Sequence, residues 1–244
     1  MRIGILETGR PPEALNGKFG SYPDMFAELL SKADPSLEFV SFAAIDGDVP
    51  SDPRACDAWL ITGSRHGVYE RLPWMDKASE LIRAAFAAKV PVVGICFGHQ
   101  LMAQALGGKV VKSEKGWGLG HHQFTVRNAP AWLGDTPKSI TIPAVHQDQV
   151  VELPQGATVF ASSEFCPNAA IAYDDNGLSF QGHPEFSKAY QQGVYDVRLK
   201  PIVDAAVIET AERSLAARES DSALIAKWIV AFLQQKRMQA KDAA

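Results

Sequence analysis

An apolar segment that ends at a cysteine constrains the fold of this chain more than any other feature. Residues 90–95 are rich in β-branched side chains, which predicts a strand covered on both faces. Gly94, Cys96 and Gly98 then fit a G-x-nucleophile-x-G turn, in which the two glycines allow a tight, strained passage from strand to helix. Residues 101–106 continue as a predicted helix. The sequence therefore predicts a strand–turn–helix unit with Cys96 at its apex.

The position of Cys96 also indicates reactivity. A thiol at a helix N-terminus lies at the positive end of the helix dipole, which favours the thiolate form. The backbone N–H of Phe97, the next residue, would point at an oxyanion that develops beside the sulfur. An inert buried thiol is the alternative interpretation, since free cysteines are often core residues. Cys56 and Cys166, which lie in no such motif, are interpreted as structural.

Strand and helix patterns alternate through the first hundred residues. Strands are predicted at residues 2–6, 37–42, 55–61 and 90–95, and helices at residues 22–31 and 73–88. This alternation is typical of a parallel, doubly wound sheet. Residues 7–20 are rich in glycine and proline and are predicted to form a loop at the sheet edge where ligands bind in such folds. Shorter strand candidates follow residue 108, and the pattern is helical from residue 187 onward.

Length and composition exclude several classes of protein. The 244 residues carry a net charge of −4, so nothing indicates binding to nucleic acid or to an anionic membrane. No apolar run approaches the ~18 residues of a membrane span, and the chain opens on a strand pattern rather than a signal peptide. The three cysteines lack metal-ligand spacing, and so do four of the histidines, His99, His121, His122 and His146. We therefore expect a cytoplasmic protein without a metal.

A second chemical signal follows a buried strand. His183 can take a proton from a thiol and return it to a leaving group near neutral pH. Glu185, two residues later, is an anionic partner that can fix the tautomer and position of the imidazole. A hydrogen-bonded structural histidine is the alternative. A third signal is the glycine loop at Gly63 and Ser64, which ends a strand predicted near the Cys96 strand and can supply a second N–H to the oxyanion.

Two motifs are similar to those of a known family: Gly-Ile-Cys-Phe-Gly-His-Gln at residues 94–100 and Gly-His-Pro-Glu at residues 182–185. Together they resemble the class I, triad-type glutamine amidotransferases, and most closely the amidotransferase domain of GMP synthase and its stand-alone relatives. With the strand–helix pattern, the resemblance implies a flavodoxin-like, three-layer α/β sandwich with a central, mostly parallel sheet, an added antiparallel β portion and C-terminal helices. We expect residues 1–186 to form the amidotransferase domain and residues 187–244 a helical extension packed on it.

The resemblance implies a role for each matching residue. Cys96 would be the nucleophile, His183 the base and acid, and Glu185 the residue that orients the histidine. The implied oxyanion donors are Phe97, Gly63 and Ser64, and the implied contacts to glutamine are Gln100, Gly98, His146 and Gln147. A polar position on the helix surface is the alternative for Gln100. The chain departs from the family at residues 63–65, where GMP synthases have two glycines and a proline, and at residue 147, where the family has glycine.

These residues predict an enzyme that hydrolyses glutamine or another γ-glutamyl amide through a γ-glutamyl thioester on Cys96, with no cofactor. Two roles fit: an amidotransferase subunit that passes ammonia to a separate synthetase, and a stand-alone γ-glutamyl peptidase. A hypothesis of another class is a non-catalytic binding or regulatory module that has kept the fold. The apolar stripe of the last helix predicts packing against the domain, with a homodimer face as the alternative.

Overall fold

The structure is a computed structural model that describes residues 1–174 and 176–242, with no side chain described beyond residue 235. Its strands are β1 (Arg2–Leu6), β2 (Glu38–Phe42), β3 (Ala58–Ile61), β4 (Val92–Ile95), β5 (Lys109–Lys112), β6 (Gly118–Val126), β7 (Ser139–His146), β8 (Asp148–Glu152), β9 (Ala157–Ser162), β10 (Ala170–Tyr173) and β11 (Gly177–Phe180). Its α-helices are α1 (Glu13–Phe19), α2 (Tyr22–Ser31), α3 (Pro73–Ala87), α4 (Phe97–Ala105), α5 (Lys188–Val194), α6 (Ala205–Ala217) and α7 (Ser222–Asp242). None of the helices in this described part is long and apolar enough to cross a membrane.

Nine of the described strands form one sheet, in the order β2-β1-β3-β4-β11-β10-β9-β6-β7. The first five are parallel neighbours, and from β11 onward each strand is antiparallel to the next. β3 and β4 are buried along their whole length, as expected for parallel strands covered on both faces. β5 and β8 form a separate antiparallel pair. The predicted mostly parallel sheet with an added antiparallel portion is confirmed.

Apolar side chains on the two faces of the sheet form two separate clusters. Ile3 and Ile5 of β1 belong to the first cluster, to which α2 contributes Phe26 and α7 contributes Phe232. Leu6 belongs to the second cluster, with side chains of α3 and α4, because side chains alternate between faces along a strand. Helices therefore cover both faces of the sheet, and the predicted three-layer α/β sandwich is confirmed.

The segment that follows residue 186 builds a third apolar cluster. A π-helical segment, Tyr195–Leu199, follows α5 directly, and α6 comes after a short turn. Side chains of these three elements pack against α1, α2 and β6, with Tyr22 and Phe186 at the centre of the aromatic contacts. A separate extension that begins at residue 187 stays a prediction, and its last residues, 243 and 244, lie outside the described part of the chain.

One helix lies within the segment 7–20 that the sequence predicts to be a loop. α1 begins after Pro12 and ends at Gly20, whose φ of 74° belongs to the left-handed region. Glu13 in the first turn and Lys18 in the last turn carry charges that complement the helix dipole. The prediction of a loop is therefore wrong for residues 13–19, because proline and glycine bound the helix here instead of preventing it.

Candidate active site

Cys96 lies at the sharp turn between β4 and α4. Its backbone has φ 52° and ψ −102°, a conformation that costs a non-glycine residue of order 1–3 kcal/mol and is found mainly at functional sites. The turn is tight because two glycines allow the backbone to approach its neighbours. A Cβ added at Gly94 would lie 2.6 Å from the carbonyl oxygen of Gly98, and one added at Gly98 would overlap the carbonyl oxygen of Ile61. The surrounding packing therefore holds the thiol in its strained position.

Replacing Gly98 by alanine is expected to lower the free energy of unfolding by about 1–3 kcal/mol, because the added methyl group meets the backbone of β3. Gly17→Ala is the matched control, since a Cβ at this position in α1 has nothing within 4 Å and alanine favours a helix over glycine. Urea denaturation of the two variants measures both effects. A Gly98→Ala variant as stable as the Gly17→Ala variant would contradict the close approach of β3 to α4.

His183 and Glu185 are brought to Cys96 by the pairing of β11 with β4. The two strands are parallel neighbours, and the N–H of Cys96 donates a hydrogen bond of 2.8 Å to the carbonyl of Phe180, the last residue of β11. Three residues later, the Nδ1 of His183 lies 2.7 Å from Oε1 of Glu185, and these side chains are only 5% and 0% exposed. The ring of Phe186 stacks on the imidazole at 4.0 Å with an interplanar angle of 4°. Hydrogen bonding and stacking thus fix the imidazole beside the thiol.

The pKa of His183 is strongly raised in this arrangement. Burial by itself lowers this pKa, but the negative charges of Cys96 and Glu185, together with side-chain hydrogen bonds to both, raise it to about 10. The direction of this shift favours the imidazolium form of His183. Because the pKa is raised above its ordinary value of 6.5, the stabilisation of the fold by this pairing is fully present below pH 6.5 and is lost as the pH rises through about 10.

An NMR titration of the His183 imidazole is expected to give a midpoint near pH 10. Cys96→Ala should move the midpoint to lower pH, because it removes one of the charges that favour the imidazolium. Cys56→Ala, which removes a buried thiol that does not line the site, is the matched control and should leave the midpoint unchanged. A midpoint near 6.5 that neither substitution moves would contradict the pairing of His183 with Cys96.

The loop after β3 lies against the imidazole and offers free backbone donors. A Cβ added at Gly63 would lie 2.7 Å from Cε1 of His183, so only glycine allows this approach. The loop is held by Thr8, whose N–H donates to Oγ1 of Thr62 at 3.0 Å and whose hydroxyl donates to the carbonyl of Thr62 at 2.9 Å. Among the described residues no acceptor binds the N–H groups of Phe97, Gly63 and Ser64. The loop therefore has unpaired N–H donors at Gly63 and Ser64, and Phe97 has one at the start of α4.

The other predicted substrate contacts are already hydrogen-bonded within the protein. Nε2 of Gln100 donates to the carbonyl of Asp148 at 2.9 Å and to Oε1 of Gln181 at 3.1 Å, so both amide protons are already used. His146 is held through Nδ1 by the same carbonyl at 3.2 Å, and burial lowers its pKa to about 3. The N–H of Gly98 donates to the carbonyl of Thr62 at 3.1 Å, and its Cα packs against Ile61 of β3. Gln100 and His146 therefore form a rigid, neutral wall.

A cavity of about 230 Å³ opens over the thiol and the imidazole. Of the predicted site residues, six line it: Cys96, His183, Ser64, Gln100, His146 and Gln147. The other four are not among its lining residues: Glu185, Phe97, Gly63 and Gly98. In the described part of the chain no group of three or more histidine, cysteine or acidic side chains is arranged to hold a metal ion.

Several lining residues had no predicted role. Tyr22 begins α2, and Phe186 is the residue that stacks on His183. Val194, Arg198 and Leu199 reach the cavity from the segment after residue 186. For Phe186, its position directly after Glu185 was the available signal. The other four come from elements that only tertiary packing brings to the site.

Comparisons with known proteins agree with this fold. The family model described as glutamine amidotransferase class-I matches residues 21–195. Gamma-glutamyl peptidase 3 of Arabidopsis thaliana is 33% identical over 184 residues, which are 72% of this chain and 73% of that protein. A glutamine-hydrolyzing GMP synthase of Bacillus velezensis is 37% identical over 128 residues, which are 52% of this chain and 24% of that protein. The crystal structure of a glutamine amido transferase from Methylobacillus flagellatus superposes with a TM-score of 0.74 at 23% identity, covering 97% of this chain and 94% of that one.

The sandwich, these similarities and the buried cysteine, histidine and glutamate define an enzyme of the hydrolase and amidotransferase class. More specifically, the family model covers well over half of the sequence, and the chain belongs to the class-I glutamine amidotransferase family. The predicted resemblance to this family, including the amidotransferase region of GMP synthase, is confirmed.

Proposed function

We propose that this enzyme hydrolyses the γ-glutamyl amide bond of γ-glutamyl peptides through a γ-glutamyl thioester on Cys96. The observation that carries the proposal is that Cys96 and His183 line one cavity, with Glu185 held 2.7 Å from Nδ1 of the imidazole. An intact set of this kind also argues against a non-catalytic binding or regulatory module.

In the first half of the reaction, the thiolate of Cys96 attacks the γ-carbonyl carbon of the substrate. The N–H groups of Phe97 and of the Gly63–Ser64 loop, which have no acceptor among the described residues, receive the oxyanion of the tetrahedral intermediate. The imidazolium of His183 then gives its proton to the departing amine, and the thioester remains on the sulfur. Glu185 holds the ring through Nδ1 so that Nε2 faces the reacting atoms.

In the second half, the same histidine acts as a base. Acylation converts the Cys96 thiolate to a neutral thioester and so removes one of the charges that raise the pKa of His183. The imidazole can then accept a proton from water, which attacks the thioester and releases glutamate. Gln100, His146 and Gln147 line the cavity and are proposed to position the glutamyl group.

The similarity to gamma-glutamyl peptidase 3 supports a peptide as the substrate. A second candidate is hydrolysis of glutamine to supply ammonia to a separate synthetase subunit. The match to the glutamine amidotransferase family model and to a region of GMP synthase favours this alternative. Both candidates use the same thioester and differ in the leaving group.

Release of glutamate by the purified chain separates the two candidates. We expect a higher kcat/KM for γ-glutamyl dipeptides than for glutamine, and no turnover of the isomeric α-glutamyl dipeptides, which serve as the matched control. Turnover of glutamine without turnover of γ-glutamyl dipeptides would contradict the peptidase proposal and favour the ammonia-supplying subunit. Absence of turnover with every γ-glutamyl compound would contradict both.

A further inference from the structure

Three cationic side chains of the described residues line the cavity, and they differ in their electrostatic surroundings. Burial raises the pKa of Glu70, a carboxylate of the same cavity, and the positive charge of Arg65 is one of the influences that lower it. Burial likewise raises the pKa of the cavity carboxylate Asp148, and the positive charge of Lys112 opposes this rise. The third cation is Arg198 of the π-helical segment. The cavity therefore supplies a carboxylate within electrostatic reach of Arg65 and of Lys112, although none of the three cations forms an ion pair among the described residues.

Arg198 forms no ion pair or hydrogen bond with any side chain that the structure describes. The carboxylate two residues before it, Asp196, pairs with Lys200 at 2.7 Å, and Glu212 of α6 pairs with the same lysine at 3.2 Å. Burial raises the pKa of the Tyr22 and Tyr190 hydroxyls, and the positive charge of Arg198 opposes this rise at both. A half-buried guanidinium without a carboxylate partner, at the wall of a cavity, is suited to a ligand that brings the carboxylate.

The aromatic contacts place Arg198 on the His183 side of the thiol. Arg198 lines the cavity together with Tyr22 and Phe186. The rings of Tyr22 and Phe186 lie 5.8 Å apart, and Phe186 stacks on His183. In the proposed mechanism His183 protonates the departing amine, so the leaving group lies on this side. Arg198 is therefore placed to contact the leaving group.

We infer that Arg198 binds a carboxylate of the leaving group, so that the preferred substrates are γ-glutamyl conjugates whose departing amine is an amino acid with a free carboxylate. This inference rests on the proposed peptidase function and adds the chemical class of the leaving group. Glutamine releases ammonia, which has no group for Arg198 to bind.

The test compares γ-glutamylglycine with γ-glutamylglycinamide, which differ only in the carboxylate of the leaving group. We expect Arg198→Gln to lower kcat/KM for γ-glutamylglycine about 10- to 100-fold, as for the loss of a charged hydrogen bond, and for the glycinamide less than about threefold. Turnover of the glycinamide reports that the variant is folded. Lys200→Gln is the matched control, because Lys200 is a nearby cation that does not line the cavity. It should leave the ratio of kcat/KM for the two substrates unchanged.

The inference is supported if the preference for γ-glutamylglycine over the glycinamide is lost in Arg198→Gln and kept in Lys200→Gln. Equal losses on the two substrates, or no loss on either, overturn it while the peptidase function stands. If the unaltered chain turns over neither compound, the proposed function is overturned, and the role of Arg198 falls with it.

Discussion

Cys96→Ala is expected to lower kcat for γ-glutamyl hydrolysis by at least about 10⁴-fold, because removal of a covalent nucleophile leaves only binding and oxyanion stabilisation. The fold should survive, since alanine keeps the Cβ at the strained φ of 52° and removes only the sulfur. Release of glutamate measures the activity, and circular dichroism with a thermal melt measures the fold.

The two other cysteines supply matched controls for this variant. Cys56 and Cys166 are free and buried, and neither lines the cavity. Burial raises the pKa of the Cys166 thiol to about 12, which makes it an unreactive core residue. Alanine at either position should leave kcat within about threefold of the unaltered chain. Activity retained in Cys96→Ala, or lost equally in a control, would contradict the assignment of the nucleophile.

His183→Ala should have an effect of the same order, and Glu185→Gln a smaller one. Without the imidazole there is no acid for the leaving amine and no base for water, and we expect a loss in kcat of about 10⁴-fold or more. In Glu185→Gln the imidazole remains, and its Nδ1 can still donate to an amide oxygen. We therefore expect a loss roughly 10- to 100-fold smaller than for His183→Ala.

The pH profile provides a second readout for Glu185. This carboxylate is one of the groups that raise the pKa of His183, and its second oxygen, Oε2, is buried with no hydrogen-bond partner among the described residues. Loss of its charge lowers the pKa of His183, so the alkaline limb of the profile should move to lower pH in Glu185→Gln. An unmoved limb, or a loss in kcat equal to or larger than that of His183→Ala, would count against the orienting role.

The parts of the site that follow from sequence are those encoded within a few residues. The strand before Cys96, the two glycines around it and the short spacing from His183 to Glu185 are local patterns with direct physical reasons. The parallel pairing of the first four strands follows from the alternation of strands and helices. The place of β11 beside β4, which brings His183 to Cys96, does not follow from that alternation.

The remaining parts depend on contacts between distant segments. The role of Arg198 arises because the π-helical segment packs under α2, and nothing in the residues around it indicates a cavity. Gly98 shows the converse, since the family motif predicts a substrate contact but the structure uses its N–H for the backbone of Thr62. The motif predicts a glycine at this position, but only the tertiary structure shows that the close approach of Ile61 is the reason.

Acid quenching during steady-state turnover of γ-glutamylglycine, followed by peptide mass spectrometry, tests the thioester directly. The mechanism predicts one glutamyl group on the peptide that contains Cys96, absent from the Cys96→Ala variant and discharged when the substrate is exhausted. Turnover without any acylated peptide, or a glutamyl group on another residue, would contradict it.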